Sequence, residues 1–259
     1  MRKLSVFLAV LALCLANLAM AAGAIATHLM GTASVQSGSA APRALHVGDP
    51  VKQGETVRTG KDTYLLMKFD DGELVVMTQN STMTVSAYDY DARSGNGNVL
   101  LSLVEGGMRA ITGLIGRRTP TNVAYRAAGA TIGIRGTDVQ IHTTMGDVAV
   151  LVHDGVITFT IGNQTATISA GQGGRVVNGM PVSASMASII AALLMQNTPQ
   201  ARAIALDLST VLPATLTMAI TTALQNPTNT QTDTKTDTKK DTDTHTGGGT
   251  QSGNTVSNK

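Results

Sequence analysis

Leu65-Leu66-Met67-Lys68-Phe69-Asp70-Asp71-Gly72-Glu73-Leu74-Val75-Val76-Met77 is the stretch from which the fold can be read. Leu65, Met67 and Phe69 alternate with Leu66 and Lys68, the period of two that sends successive side chains to opposite faces of a strand. Asp71-Gly72 then supplies the positive φ that a tight hairpin needs, and Leu74-Val75-Val76-Met77 resumes the apolar run. The expectation is a β-hairpin turning at Gly72.

The same texture extends in both directions. Met83 and Val85 keep the period of two, and residues 99–104 form another apolar run that Gly106-Gly107 closes. Residues 148–152 lead into Asp154-Gly155, and 166–169 lead into Gly171. Gly54, Gly72, Gly106, Gly155 and Gly171 are read as turn glycines. Short β runs punctuated by Gly at roughly ten-residue spacing predict a mainly β domain over residues 27–180, built as a β-roll, a sandwich or a solenoid. No strict repeat period argues for a regular β-helix.

After Pro181 the period changes. Ile189, Ile190, Leu193 and Leu194 form one stripe at helical spacing, and Ile204, Leu208 and Leu212 form a second, with a junction at residues 196–199. Residues 181–225 are therefore predicted as a short helical segment. Its stripes are expected to pack on each other or on the β domain, or to serve self-association through 183–224. Asp207 and Pro213 interrupt any window long enough to span a membrane. Residues 226–259 are a Thr/Asp/Lys/Gly-rich tail with almost nothing to bury, expected to be disordered.

Residues 1–22 read as a secretory leader, with Arg2 and Lys3, an apolar stretch over 4–18 and Ala19-Met20-Ala21 as the cleavage site. The only cysteine, Cys14, falls inside that stretch, so the exported chain is expected to lack thiol and disulfide alike. Beyond the leader, 17 basic and 17 acidic residues cancel, which argues against binding nucleic acid through phosphate neutralisation. Three Phe, four Tyr and no Trp argue against base-stacking or aromatic sugar-binding platforms.

The candidate chemistries are few. Asp70, Asp71 and Glu73, or Asp89 and Asp91, offer carboxylates, but calcium wants six to eight oxygens arranged by a longer loop, and a hairpin turn accounts for the first group. Tyr88-Asp89-Tyr90-Asp91 with residues 94–98 is read as an exposed loop. His28, His46, His142, His153 and His245 show no metal-ligand spacing. His153-Asp154 would point to opposite faces of a strand rather than form a dyad. No nucleophile elbow or phosphate loop is present. The expectation is a chain without catalytic residues, metal or cofactor.

Six blocks in order carry a resemblance. They are Gly48-Asp49-Pro50-Val51 with Gly54-Glu55-Thr56-Val57 and Thr59-Gly60; Lys68-Phe69-Asp70-Asp71-Gly72; Glu105-Gly106-Gly107; Ile134-Arg135-Gly136-Thr137-Asp138-Val139; Asp154-Gly155-Val156; and Ala170-Gly171-Gln172. Together, over roughly residues 30–178, they resemble the FecR domain family. The resemblance implies an exported, mostly β, non-enzymatic domain. In the family's namesakes this is the periplasmic half of a membrane regulator that senses an outer-membrane siderophore receptor and controls a sigma factor. Only three residues precede the apolar stretch here, so no cytoplasmic sigma-binding segment is expected.

Arg135, Gly136 and Thr137 form the most telling block. They are read chiefly as structural, with Gly136 in an unusual φ and Arg135 paired to a buried carboxylate or to carbonyls, and otherwise as a partner contact. The functional expectation is a non-catalytic periplasmic or extracellular module for cell-envelope interaction or sensing. Its partner would be an envelope protein or a glycan such as peptidoglycan. The alternative is a secreted structural or adhesive surface protein.

Overall fold

The computed structural model describes residues 23–144, 146–196, 199–209 and 214–225. Residues 1–22, read as a leader, and residues 226–259, read as a disordered tail, lie outside the described residues. The hairpin forms at the predicted place. Tyr64–Phe69 pairs antiparallel with Leu74–Met77, Leu65 opposite Met77 and Lys68 opposite Leu74. Gly72 takes φ +83° in the turn.

Fifteen strands are described: β1 (Gly23–Met30), β2 (Ala33–Ser37), β3 (Arg43–Leu45), β4 (Pro50–Lys52), β5 (Glu55–Thr59), β6 (Tyr64–Phe69), β7 (Leu74–Met77), β8 (Thr82–Asp91), β9 (Asn96–Ile111), β10 (Val123–Ala127), β11 (Ala130–Thr144), β12 (Asp147–Ile161), β13 (Gln164–Ser169), β14 (Gln172–Val177) and β15 (Met180–Ser185). A short helix α1 (Leu114–Arg118) follows β9, and α2 (Met186–Met195), α3 (Pro199–Ser209) and α4 (Ala214–Gln225) follow β15. The fold is mainly β.

Three long strands decide the architecture. β9, β11 and β12 each change neighbours half-way along. The first half of β9 pairs with β8 and, in parallel, with β10, while its second half pairs with β7 and with the second half of β11. β12 begins beside the second half of β11 and β14, and ends beside the first half of β11 and β13. The paired strands thereby fold into two layers, β3-β2-β5-β8-β9-β10-β11-β12-β13 and β4-β1-β6-β7-β9-β11-β12-β14-β15. Their inner faces share one core, with Val99, Leu101, Ile132 and Phe159 from the first layer and Met67, Val75, Ile141 and Val150 from the second.

At the corner of each long strand sits a glycine with positive φ: Gly106 (+83°), Gly136 (+59°) and Gly155 (+77°). Register shifts in the β11–β12 pair fall at Arg135–Asp138, opposite Asp154. A bulge with a left-handed residue bends a strand sharply, and this lets one strand serve two layers. Gly106-Gly107 and Asp154-Gly155 are thus bends inside strands, not turns between them. A local pattern of glycine after an apolar run looks the same in both cases.

The second layer is apolar on its inner face and over two patches of its outer face. In β12, Val148, Val150 and Val152 face the shared core, while Ala149 and Leu151 face the helices. In β7, Leu74 and Val76 face outward against Ile220 of α4, as does Leu66 of β6. A strand covered on both sides reads as an unbroken apolar run rather than an alternating one, which accounts for the sequences of residues 74–77 and 148–152. The helical stripe packs on the β domain: Ile189 and Leu193 of α2 and Ile204 and Leu208 of α3 bury against Ala149 and Leu151. Leu194, assigned to the first stripe, is instead 48% exposed, and Leu212 lies outside the described residues.

Two element bounds differ from the sequence reading. β1 starts at Gly23 and pairs between β4 and β6, with Ala24 and Ala26 buried. At the other end, β15 carries the β structure to Ser185, whose hydroxyl then caps α2 by accepting from Ser188 N–H at 3.1 Å. Pro181 is tolerated because β15 is an edge strand with β14 as its neighbour.

Candidate functional site

Two polar clusters stand out against this apolar frame. The first is inside the sandwich, at the hairpin turn. Glu73 is fully buried, and Tyr125 of β10 donates its hydroxyl to Glu73 Oε1 at 2.9 Å. Asp71 accepts from Glu73 N–H (3.1 Å), from Ile115 N–H in α1 (3.2 Å) and from the Tyr88 hydroxyl (3.3 Å). Gly113 has no side chain because a Cβ there would meet the Asp71 carboxylate. Burial is the main cause that pushes Glu73 up to about 8, with the Asp71 charge second. Burial likewise raises Asp71 and both tyrosines. This cluster ties the turn to β8, β10 and α1, and it is closed to solvent.

Tyr88 therefore does not belong to an exposed loop. Residues 82–91 are strand β8, and Tyr88 packs its ring against Phe69, centroids 5.0 Å apart. Asp91 stays at the surface and caps the following turn through Arg93 N–H and the Ser94 hydroxyl. Of the remaining carboxylates singled out, Asp70 accepts from Gly23 N–H at 2.9 Å.

The second cluster lies on the outer face of the second layer, beside α3. Arg109 of β9 makes a two-pronged ion pair with Asp138 of β11, at 2.8 and 2.6 Å. His153 Nε2 lies 3.3 Å from Gln140 Oε1, and Gln140 donates to the Asp207 carbonyl at 3.1 Å. His142 Nδ1 lies 2.7 Å from Asp207 Oδ2, with both side chains about nine-tenths buried. Burial and the neighbouring Arg109 charge hold His153 below the usual histidine range. Gly107 sits opposite His142 in the ladder, and a Cβ there would land on the Asp207 carboxylate. Asp207 thus reaches the sheet over a residue that has no side chain to block it.

Beside this pair opens a cleft of about 280 Å³. Gln79 and Asn80 come from the β7–β8 turn, Glu105 and Gly106 from the β9 bend, His142 and Thr144 from β11, and Leu206 and Asp207 from α3. His142 and Asp207 are 65 residues apart in sequence, so no spacing rule could pair them.

The Arg135-Gly136-Thr137 block lies away from this cleft, at the β11 corner. Arg135 is exposed and pairs with no carboxylate among the described residues; the ion pair expected of it is made by Arg109 with Asp138. Thr137 is buried, and its N–H donates to the Thr112 hydroxyl at 2.8 Å, joining β11 to the segment that enters α1. Gly54 and Gly171 take φ +82° and +81°. No cluster of His, Cys, Asp and Glu suited to a metal occurs among the described residues.

The class these features define is a two-layer β domain with a helical cover. Residues 55–158, from β5 to the second half of β12, match the model of the FecR protein family. Over these residues the chain is similar to that family. Among solved structures, two of a protein provisionally assigned as an anti-sigma factor from Parabacteroides distasonis align at 14% identity and TM-score 0.41. They cover 55% of this chain, which spans 64% and 65% of theirs. A cell surface anchoring domain aligns at 39% identity over 24% of this chain and 80% of its own length, with TM-score 0.23. No curated protein matches the chain.

Proposed function

We propose that this chain is an exported, non-catalytic sensing or interaction module of the cell envelope. The observation that carries the reading is the FecR match over the strands that turn the two-layer corner. The leader-like residues 1–22 support export. No helix among the described residues is long and apolar enough to cross a membrane. The helices that follow the β domain bury their apolar stripe on it rather than offering it to lipid. The module works by presenting a preformed surface to an envelope protein or to peptidoglycan, and the cleft beside His142 is the part of that surface with converging polar groups.

Expression in a Gram-negative host followed by osmotic shock tests this. The expected result is release of a shortened chain, whose intact mass places its first residue near Ala22. Retention in the cytoplasm at full mass overturns it, and recovery only from the medium or an extracellular matrix favours a secreted structural protein instead.

A further inference from the structure

The cleft beside His142 is lined by hydrogen-bond acceptors. His142 is clamped through Nδ1 by Asp207 at 2.7 Å. A neutral imidazole that donates Nδ1–H to a carboxylate keeps a lone pair on Nε2, and Nε2 has no hydrogen-bond partner among the described residues. The Glu105 carboxylate stands exposed on the rim, with no ion pair or hydrogen bond among the described residues. The Asn80 amide oxygen and the Thr144 hydroxyl add further acceptors, the Gln79 amide oxygen already accepts from Asp62 N–H at 3.1 Å, and no Lys or Arg among the described residues lines the cleft. Leu206, 72% exposed, adds an apolar side chain at the edge. About 280 Å³ lies at the lower edge of ligand-pocket size, room for one side chain rather than a whole cofactor.

We propose that this cleft captures a primary ammonium group on an aliphatic stem, as a lysine side chain presents it on a peptide. An ammonium has three donors and no acceptor. Here it meets the Glu105 carboxylate and the Nε2 lone pair of His142, while its stem lies along Leu206. Asp207 acts as a positioning residue, holding the imidazole in the accepting tautomer. The proposal rests on reading the cleft as the ligand-facing part of an interaction module. It is tested on the purified chain, so a failure of export leaves its outcome readable.

The test is titration of the full chain with Nα-acetyl-lysine N-methylamide, followed by calorimetry and by the NMR signals of the His142 ring. The norleucine analogue, which lacks the ammonium, and 1,5-diaminopentane serve as parallel arms. The lysine amide is expected to bind and shift His142, and the norleucine amide to do neither. Glu105→Gln, a surface change, is expected to weaken binding on the order of tenfold with an unchanged melting temperature. No shift at millimolar lysine amide, or equal affinity in Glu105→Gln, overturns the proposal. A clear preference for 1,5-diaminopentane overturns the peptide source.

Discussion

Tyr125 and Glu73 meet across 52 residues of chain, hydroxyl to carboxylate at 2.9 Å, with neither side chain reaching solvent. The second carboxylate oxygen, Oε2, has no hydrogen-bond partner among the described residues. A fully buried carboxyl with one oxygen unsatisfied and the Asp71 carboxylate close by holds its proton, because burial penalises the charged form and the Asp71 charge adds to that penalty.

That burial makes stability depend on pH in a defined direction. Below pH 4.5 Glu73 is protonated folded or unfolded, and contributes no dependence. Between 4.5 and about 8 the unfolded chain ionises while the folded one keeps its proton, so stability falls as pH rises. Above about 8 both states are ionised and the loss stays constant. Glu73→Gln removes this dependence. Urea unfolding should find the variant equal to wild type near pH 4.5 and more stable at pH 8, by at most a few kcal/mol. A difference that stays constant across that range would refute the assignment.

The corner glycines differ in what they can tolerate. A Cβ on Gly155 would meet the carbonyl of Gly136, backbone that cannot step aside, whereas a Cβ on Gly136 meets nothing within 4 Å. Gly155→Ala should cost about 3 kcal/mol or more. Gly136→Asn should cost about 1 kcal/mol or less, since Asn tolerates the left-handed region. Thermal melts of the two variants decide this, and equal losses would show that φ alone matters at both corners.

Leu193→Asp places a carboxylate against Ala149 and Leu151 under α2. It should cost about 3 kcal/mol and loosen α2 and α3 while the strands persist. Circular dichroism should keep its β signal as protease gains access to residues 186–209. Unchanged protease resistance would contradict the packing.

The Arg109–Asp138 pair is two-pronged and mostly buried, with 28% and 18% of the two side chains exposed. Replacing Arg109 with Met, Asp138 with Leu and then both should give a coupling of about 1 to 3 kcal/mol in chemical denaturation. Additive single losses would mean that the pair contributes nothing as a pair.

The hairpin at Gly72, the mainly β domain and the helices after it were legible because each is written in a local period, two or about 3.6 residues long. The apolar runs of 74–77 and 148–152 also carried their message, since both faces of the second layer are covered. Tyr88 was misplaced because Asp and Tyr alternate in residues 88–91 as they do in many loops. What makes that stretch a strand is its pairing with residues 96–99 and the burial of one tyrosine on Asp71.

The sequence by itself determined most of the strands, the hairpin turn at Gly72 and the helices after the β domain, because side-chain alternation and glycine's freedom at positive φ act over a few residues. Whether a glycine ends a strand or bends it is not a local matter. Gly106, Gly136 and Gly155 became corners because β9, β11 and β12 found partners on both sides of each bend. The candidate site belongs wholly to that second level. His142 and Asp207 meet only because α3 packs its apolar stripe on Ala149 and Leu151, and that docking lowers a carboxylate over Gly107 onto the imidazole.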